Sequence, residues 1–138
     1  MIAYVDSSVI LRVVLGQPQA LAEWKRIRTG IASALVEVEC LRTLDRLRLR
    51  QDLPDAEVAV RRTAIDAILA RLSLVDPTRP ILARAAQPFP TLLGTLDAIH
   101  LATALLWRDR NEGDLVVATH DGALATAARA CGLTAIGA

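Results

Sequence analysis

The sequence predicts an α/β fold in one domain over residues 1–138: a central parallel sheet of about five short strands flanked by helices. Three observations carry that prediction. Short apolar runs alternate with longer helical stretches, the pattern of strands that return parallel to one another. Apolar residues make up 53% of the chain, enough for a sizeable core at this length. Gly, Pro, Asp and Asn punctuate the runs, and no repeat, linker or low-complexity tract divides them.

Residues 2–5 form the first strand. Asp6-Ser7-Ser8 breaks it and offers an N-cap for a helix through about Leu15, stopped by Gly16. Pro18 opens a second helix to about Arg28, and Gly30 ends it. A short second strand covers 31–33, followed by a helix from about Ala34 to Arg50. Leu53-Pro54-Asp55 turns the chain, with Asp55 capping a long helix to about Leu72. Leu74-Val75 is a third strand, closed by Asp76-Pro77, and a helix from Thr78 to about Ala86 leads to the rigid loop Gln87-Pro88-Phe89-Pro90. An almost wholly apolar helix runs from about Leu96 to Arg110. The fourth strand is 115–118, a helix follows from about Gly122 to Cys131, and 134–136 is the last strand.

Composition then excludes whole classes of function. High apolar content with nearly balanced charge excludes disorder. Sixteen basic and 15 acidic residues, net +1, argue against a basic nucleic-acid glove. Any polyanion is met by a local patch. Lys25 is the only lysine, so the positive charge is arginine, which reads as genomic composition before it reads as phosphate recognition. Only Tyr4, Trp24, Phe89 and Trp107 are aromatic, too few for a base-stacking platform. Cys40 and Cys131 sit in no CxxC and read as buried free thiols of a reducing compartment, with a pairing between them left open. The first residues lack the basic region of a signal peptide, and no run approaches the roughly 18 apolar residues of a membrane span. A cytoplasmic location without membrane attachment is the expectation.

Ligands of open parallel sheets gather beyond the carboxyl ends of the strands. That rule singles out Asp6 after strand one and Asp121 after strand four, each of which helix capping alone would also explain. Glu39, in the first turns of its helix, shares a face with Leu35, Arg42 and Arg46, while Val38 and Leu41 belong to the stripe expected to face the core; Glu37 points elsewhere. Asp97 opens the apolar helix, where the dipole favours a carboxylate but burial demands a cation or hydrogen bonds. Four carboxylates converging at one sheet edge repel unless a cation sits among them. Mg²⁺ or Mn²⁺ prefers such oxygen ligands and leaves positions for phosphate oxygens, so a phosphodiester is the natural substrate.

These residues, in this order, resemble the PIN-domain family and its VapC-type toxins of toxin–antitoxin pairs. Tyr4-Val5-Asp6-Ser7-Ser8 resembles the family's opening strand and first acid. Ser33 followed by Glu39-Cys40-Leu41-Arg42 resembles its Ser-to-Glu-x-x-Arg helix, and Leu96-Asp97-Ala98-Ile99-His100-Leu101-Ala102-Thr103-Ala104 its most recognisable motif. Val117-Ala118-Thr119-His120-Asp121, Ala127-Ala128 and Gly132-Leu133 resemble its closing segment. The resemblance spans essentially the whole chain. It implies a five-strand parallel sheet and a metal-dependent endoribonuclease in which Asp6, Glu39, Asp97 and Asp121 are the catalytic, metal-binding acids. It further implies that Ser7 and Thr119 support the first and last acids, with N-capping the alternative for both. Arg42 would orient Glu39 or meet a phosphate, or stand as a plain surface arginine. The implied partners are a cognate antitoxin protein, an RNA substrate such as a tRNA or ribosomal loop, and a second copy in a homodimer.

His100 lies three residues from Asp97, a spacing compatible with a shared metal, but zinc would want more His or Cys than the sequence clusters. A packing role is the expectation for it, and likewise for Trp24. Arg42, Arg46, Arg48 and Arg50 read as a solvated helix face, with Leu44, Leu47 and Leu49 hinting at a dimer or antitoxin groove. The alternatives to a toxin are a housekeeping RNA- or DNA-processing nuclease of the same fold and a non-catalytic interaction module.

Overall fold

The computed structural model describes residues 1–138. In chain order it contains β1 (Ile2–Val5), α1 (Ser7–Val14), a 3₁₀ turn (Trp24–Arg26), β2 (Thr29–Ser33), α2 (Leu35–Leu49), α3 (Asp55–Leu69), β3 (Ser73–Val75), α4 (Arg79–Ala85), α5 (Thr95–Asn111), β4 (Val116–Ala118), α6 (Gly122–Ala130) and β5 (Thr134–Ile136). All pairings in the sheet are parallel, in the order β3-β2-β1-β4-β5. The expected α/β architecture, five parallel strands flanked by helices, is what forms.

Because side chains alternate across a strand, β1 feeds two cores. Ala3 and Val5 face one cluster with Val9, Ile10, Val36, Cys40, Leu44, Ile65 and Leu69, from α1, α2 and α3. Tyr4 faces the other with Leu101, Ala104 and Leu105 of α5 and Leu124, Ala127 and Ala128 of α6. Helices therefore cover both faces, which is why the central strands read as continuous apolar runs.

The main departure is residues 18–28, where a helix is expected and only the 3₁₀ turn forms. The backbone bonds there run Ala20 to Gln17, Trp24 to Leu21, Arg26 to Glu23 and Ile27 to Trp24, three residues apart instead of four. Leu21, Trp24 and Ile27, spaced by three, thereby reach the first core from one side, and an eclipsed 3₁₀ period does this better than 3.6 residues per turn. Gly30 ends no helix; it lies inside β2, where a Cβ would collide with the Leu72 side chain. Asp55 is the first helical residue of α3 and Pro54 its N-cap, so Asp55 serves the helix dipole and not the cap. On α2 the buried stripe is Val36, Cys40 and Leu44; Val38, expected to face the core, is 59% exposed. Both cysteines are free thiols, Cys40 buried and Cys131 only partly so. No helix is long and apolar enough to cross a membrane.

Leu101 is 1% exposed, at the centre of the second core. Leu101→Ala should cost about 2–5 kcal/mol of unfolding free energy, read as a lowered urea midpoint with an unchanged slope. A cost under about 1 kcal/mol would mean that α5 packs otherwise.

Candidate metal centre

The parallel register pairs Val5 with Ala118, so the next residues, Asp6 and Thr119, leave the sheet side by side. The Asp6 N–H donates to the Ala118 carbonyl at 3.0 Å. Asp6 is 5% exposed and caps α1. Its Oδ2 accepts from the Ser8 N–H at 3.3 Å, the Ser8 hydroxyl at 2.5 Å and the Thr119 hydroxyl at 2.9 Å. Its Oδ1 faces His100 Nε2 at 3.8 Å. One oxygen is thus saturated by the fold while the other points into the site.

Glu39 projects half-buried from α2, and its Oε1 accepts from His100 Nε2 at 2.6 Å. His100, wholly buried on α5, has its Nδ1 2.7 Å from the Tyr4 hydroxyl. The Tyr4 oxygen accepts from the Ser33 N–H at 3.1 Å. Asp6, Glu39 and His100 together offer ligand atoms that all lie within 4.8 Å of one another. Asp121 caps α6, its Oδ1 accepting from the Leu124 N–H at 2.9 Å, and its own N–H donates to Thr119 Oγ1 at 3.0 Å.

Asp97, in the first turn of α5 and half-buried, stands outside that tight trio but within its field. Burial pushes its carboxyl up to about 6, and the charges of Asp121, Asp6 and Glu39 push the same way against the pull of His100. Such crowding of like charge is what a divalent cation relieves. For His100, burial works to lower the pKa, but the hydrogen bond it donates to Glu39 and the charges of Glu39, Asp6 and Asp97 outweigh it and raise it. Burial, then Glu39 and Asp6, raise the Cys40 thiol to about 12, so it stays protonated and packs as an apolar group.

The supporting residues sort differently from the sequence expectation. Ser7 is buried beside Asp6, but the hydroxyl that holds the acid is Ser8, which also accepts from the His120 N–H at 2.9 Å. Thr119 gives its hydroxyl to the first acid, Asp6, and accepts from the backbone of the last, Asp121. Arg42 does not reach Glu39; it is exposed and pairs with Asp45 at 3.3 Å, which Arg48 also grips at 2.8 Å. That pairing removes the role of orienting Glu39 and leaves Arg42 on an exposed helix face. Sequence reasoning gave His100 a packing role and Tyr4 only a place in the opening strand, and it missed the bonds that join them to Glu39. A histidine on an otherwise apolar buried helix demands a partner, and strand alternation places Tyr4 on the α5 face; those two signals together point to the contact.

The sequence matches the PIN domain family over residues 3–130. This chain belongs to the PIN-domain family. The PIN domain is 34% identical over 137 residues to Ribonuclease VapC46 of Mycobacterium tuberculosis, across 96% of this chain and 95% of that one. It is 32% identical over 142 residues to Ribonuclease VapC35 of the same species, across 96% and 94%. Solved structures share its fold. VapBC2 from Rickettsia felis, bound to a DNA fragment from its promoter, superposes with a TM-score of 0.68 at 12% identity, covering 98% of this chain and 97% of that one. A toxin–antitoxin complex from Klebsiella pneumoniae superposes at 0.61 with 18% identity, covering 86% of each.

A carboxyl raised to about 6 binds its proton more tightly folded than unfolded. Its stabilisation is complete below the unfolded value near 4 and is lost as pH rises through about 6. With chelator present, urea unfolding should therefore show the wild type losing stability between pH 4.5 and 7 relative to Asp97→Asn. Parallel pH profiles for the two proteins would refute the raised Asp97 pKa.

Proposed function

We propose that this PIN domain is a divalent-metal-dependent endoribonuclease acting as the toxin of a toxin–antitoxin pair in the cytoplasm. The observation that carries the reading is the acidic cluster at the carboxyl edge of β1 and β4, in a chain that matches ribonucleases over nearly its full length. The donors suit the cation. Asp6 Oδ1, Glu39, Asp97 and Asp121 would hold it, an all-oxygen set that fits Mg²⁺ or Mn²⁺ better than zinc. When bound, the ion lowers the pKa of water and polarises a phosphoryl oxygen.

The remaining work falls to the chain. Ser8 and Thr119 fix Asp6 by one oxygen, so its other oxygen meets the cation without rotating. The caps on α1 and α6 tie Asp6 and Asp121 to rigid helices, and the positive ends of those helices offset some of their charge. The substrate is an RNA phosphodiester in an accessible loop, of a tRNA or a ribosomal RNA. A cognate antitoxin would neutralise the toxin, and a homodimer would be the working unit.

Purified, antitoxin-free protein should cleave RNA at discrete positions with Mg²⁺ or Mn²⁺ and lose that activity with chelator. Folded Asp97→Asn should be slower by about two orders of magnitude or more. Mn²⁺ should raise the wild-type melting temperature and leave the variant's unmoved. Cleavage by chelated protein, or normal rates in the variant, would overturn the mechanism. Growth that continues on induced expression would favour a housekeeping nuclease over a toxin.

A further inference from the structure

His100 lies close enough to Asp6 and Glu39 to pass for a third metal ligand, yet its bonds assign it another task. An imidazole nitrogen ligates a cation only through an unprotonated lone pair. At 2.6 Å from the Glu39 carboxylate, an acceptor, Nε2 must carry its hydrogen. That holds in both charge states of the ring. A neutral ring accepts at Nδ1 from the Tyr4 hydroxyl, and a charged ring donates from both nitrogens.

The chain of bonds continues into the sheet. The Ser33 N–H at the end of β2 donates to the Tyr4 oxygen, and Tyr4 meets His100 Nδ1 at 2.7 Å. Both rings are 0% exposed, so neither can exchange its partner for water. Glu39 has no comparable restraint of its own: it sits on one helix, partly exposed, with three rotatable side-chain bonds. The Glu39–His100 contact is what ties α2 to α5 across the site.

We infer that His100 is a positioning residue and not a metal ligand: the Ser33–Tyr4–His100 chain holds one oxygen of Glu39 so that the other is presented to the cation. This rests on the proposed metal site and deepens it. Partners of this kind behind ligating carboxylates change metal affinity about 10–100-fold.

The test is Mn²⁺ affinity by titration calorimetry in wild type, Tyr4→Phe, Glu39→Gln and the double variant. Tyr4→Phe keeps the ring and removes only the hydroxyl. It should weaken Mn²⁺ about tenfold in the wild-type background and have no further effect beside Glu39→Gln. His100→Gln, which retains a side-chain N–H donor toward Glu39, should bind more tightly than His100→Ala. Pulsed electron paramagnetic resonance of the Mn²⁺ protein should find no directly coordinated nitrogen. A coordinated nitrogen, or an equal Tyr4→Phe loss in both backgrounds, overturns the inference while leaving the nuclease reading intact. Wild type that takes up no Mn²⁺ overturns the metal reading instead. The positioning chain then stands or falls on nitrogen NMR of the metal-free protein, where a His100 Nε2 without a proton would refute it.

Discussion

The alignment of β1 with β4, Val5 against Ala118, is the constraint from which the rest of the site follows. β1 is the middle strand, and the chain leaves it first toward β2 and β3 and later returns on its other side as β4 and β5. A reversal of this kind opens a crevice at the carboxyl ends of the two strands where it occurs. Asp6 and Thr119 emerge into that crevice side by side. The helices that follow β2 and β4 carry Glu39 and Asp121 to the same edge, and α5, packed across the second face, brings Asp97 and His100. Residues separated by up to 115 positions converge because strands and helices leave them no alternative direction.

Convergence of like charge is costly, and the molecule offsets it unevenly. Asp6 is the best provided: three donors on one oxygen hold it where it is 5% exposed. Asp121 has a cap bond to Leu124 and the start of α6. Glu39 has His100. Asp97 has no such side-chain donor; burial first, and then the field of the other acids, hold its proton to about 6. The unevenness points to where a cation would matter most. A charge that the protein does not compensate is the one that gains most from an ion.

Most of the fold was legible because strand and helix periods and their punctuation agree with the tertiary packing over most of the chain. The disagreements have physical causes. Leu21, Trp24 and Ile27 read as helical, but a spacing of three also suits a 3₁₀ turn, and only the path from α1 back to β2 decides between them. Gly30 reads as a stop signal, whereas its lack of a side chain admits Leu72 against β2. On α2, Val38 and Cys40 are both apolar, and which of them turns inward depends on how α2 lies on α1 and α3. Ser7 and Ser8 are adjacent and identical, so no local rule says which one bonds the acid. A buried Tyr–His pair 96 residues apart leaves no mark in local sequence beyond the oddity of a polar ring on an apolar helix.

In the sequence, capping and metal binding appear as rival explanations for each aspartate. Geometry removes the rivalry, because a carboxylate has two oxygens. Asp6 caps α1 with Oδ2 and turns Oδ1 inward; Asp121 caps α6 with Oδ1 alone. In the proposed site the cap bond does part of the ligand's work, fixing the carboxylate's rotation before any ion arrives and removing the entropy that ordering it would otherwise cost. The same division extends to Glu39, where a buried histidine replaces the backbone donor that a mid-helix acid lacks. Each acid that the fold restrains gives one oxygen to the fold, and its remaining oxygen is the one a cation would share.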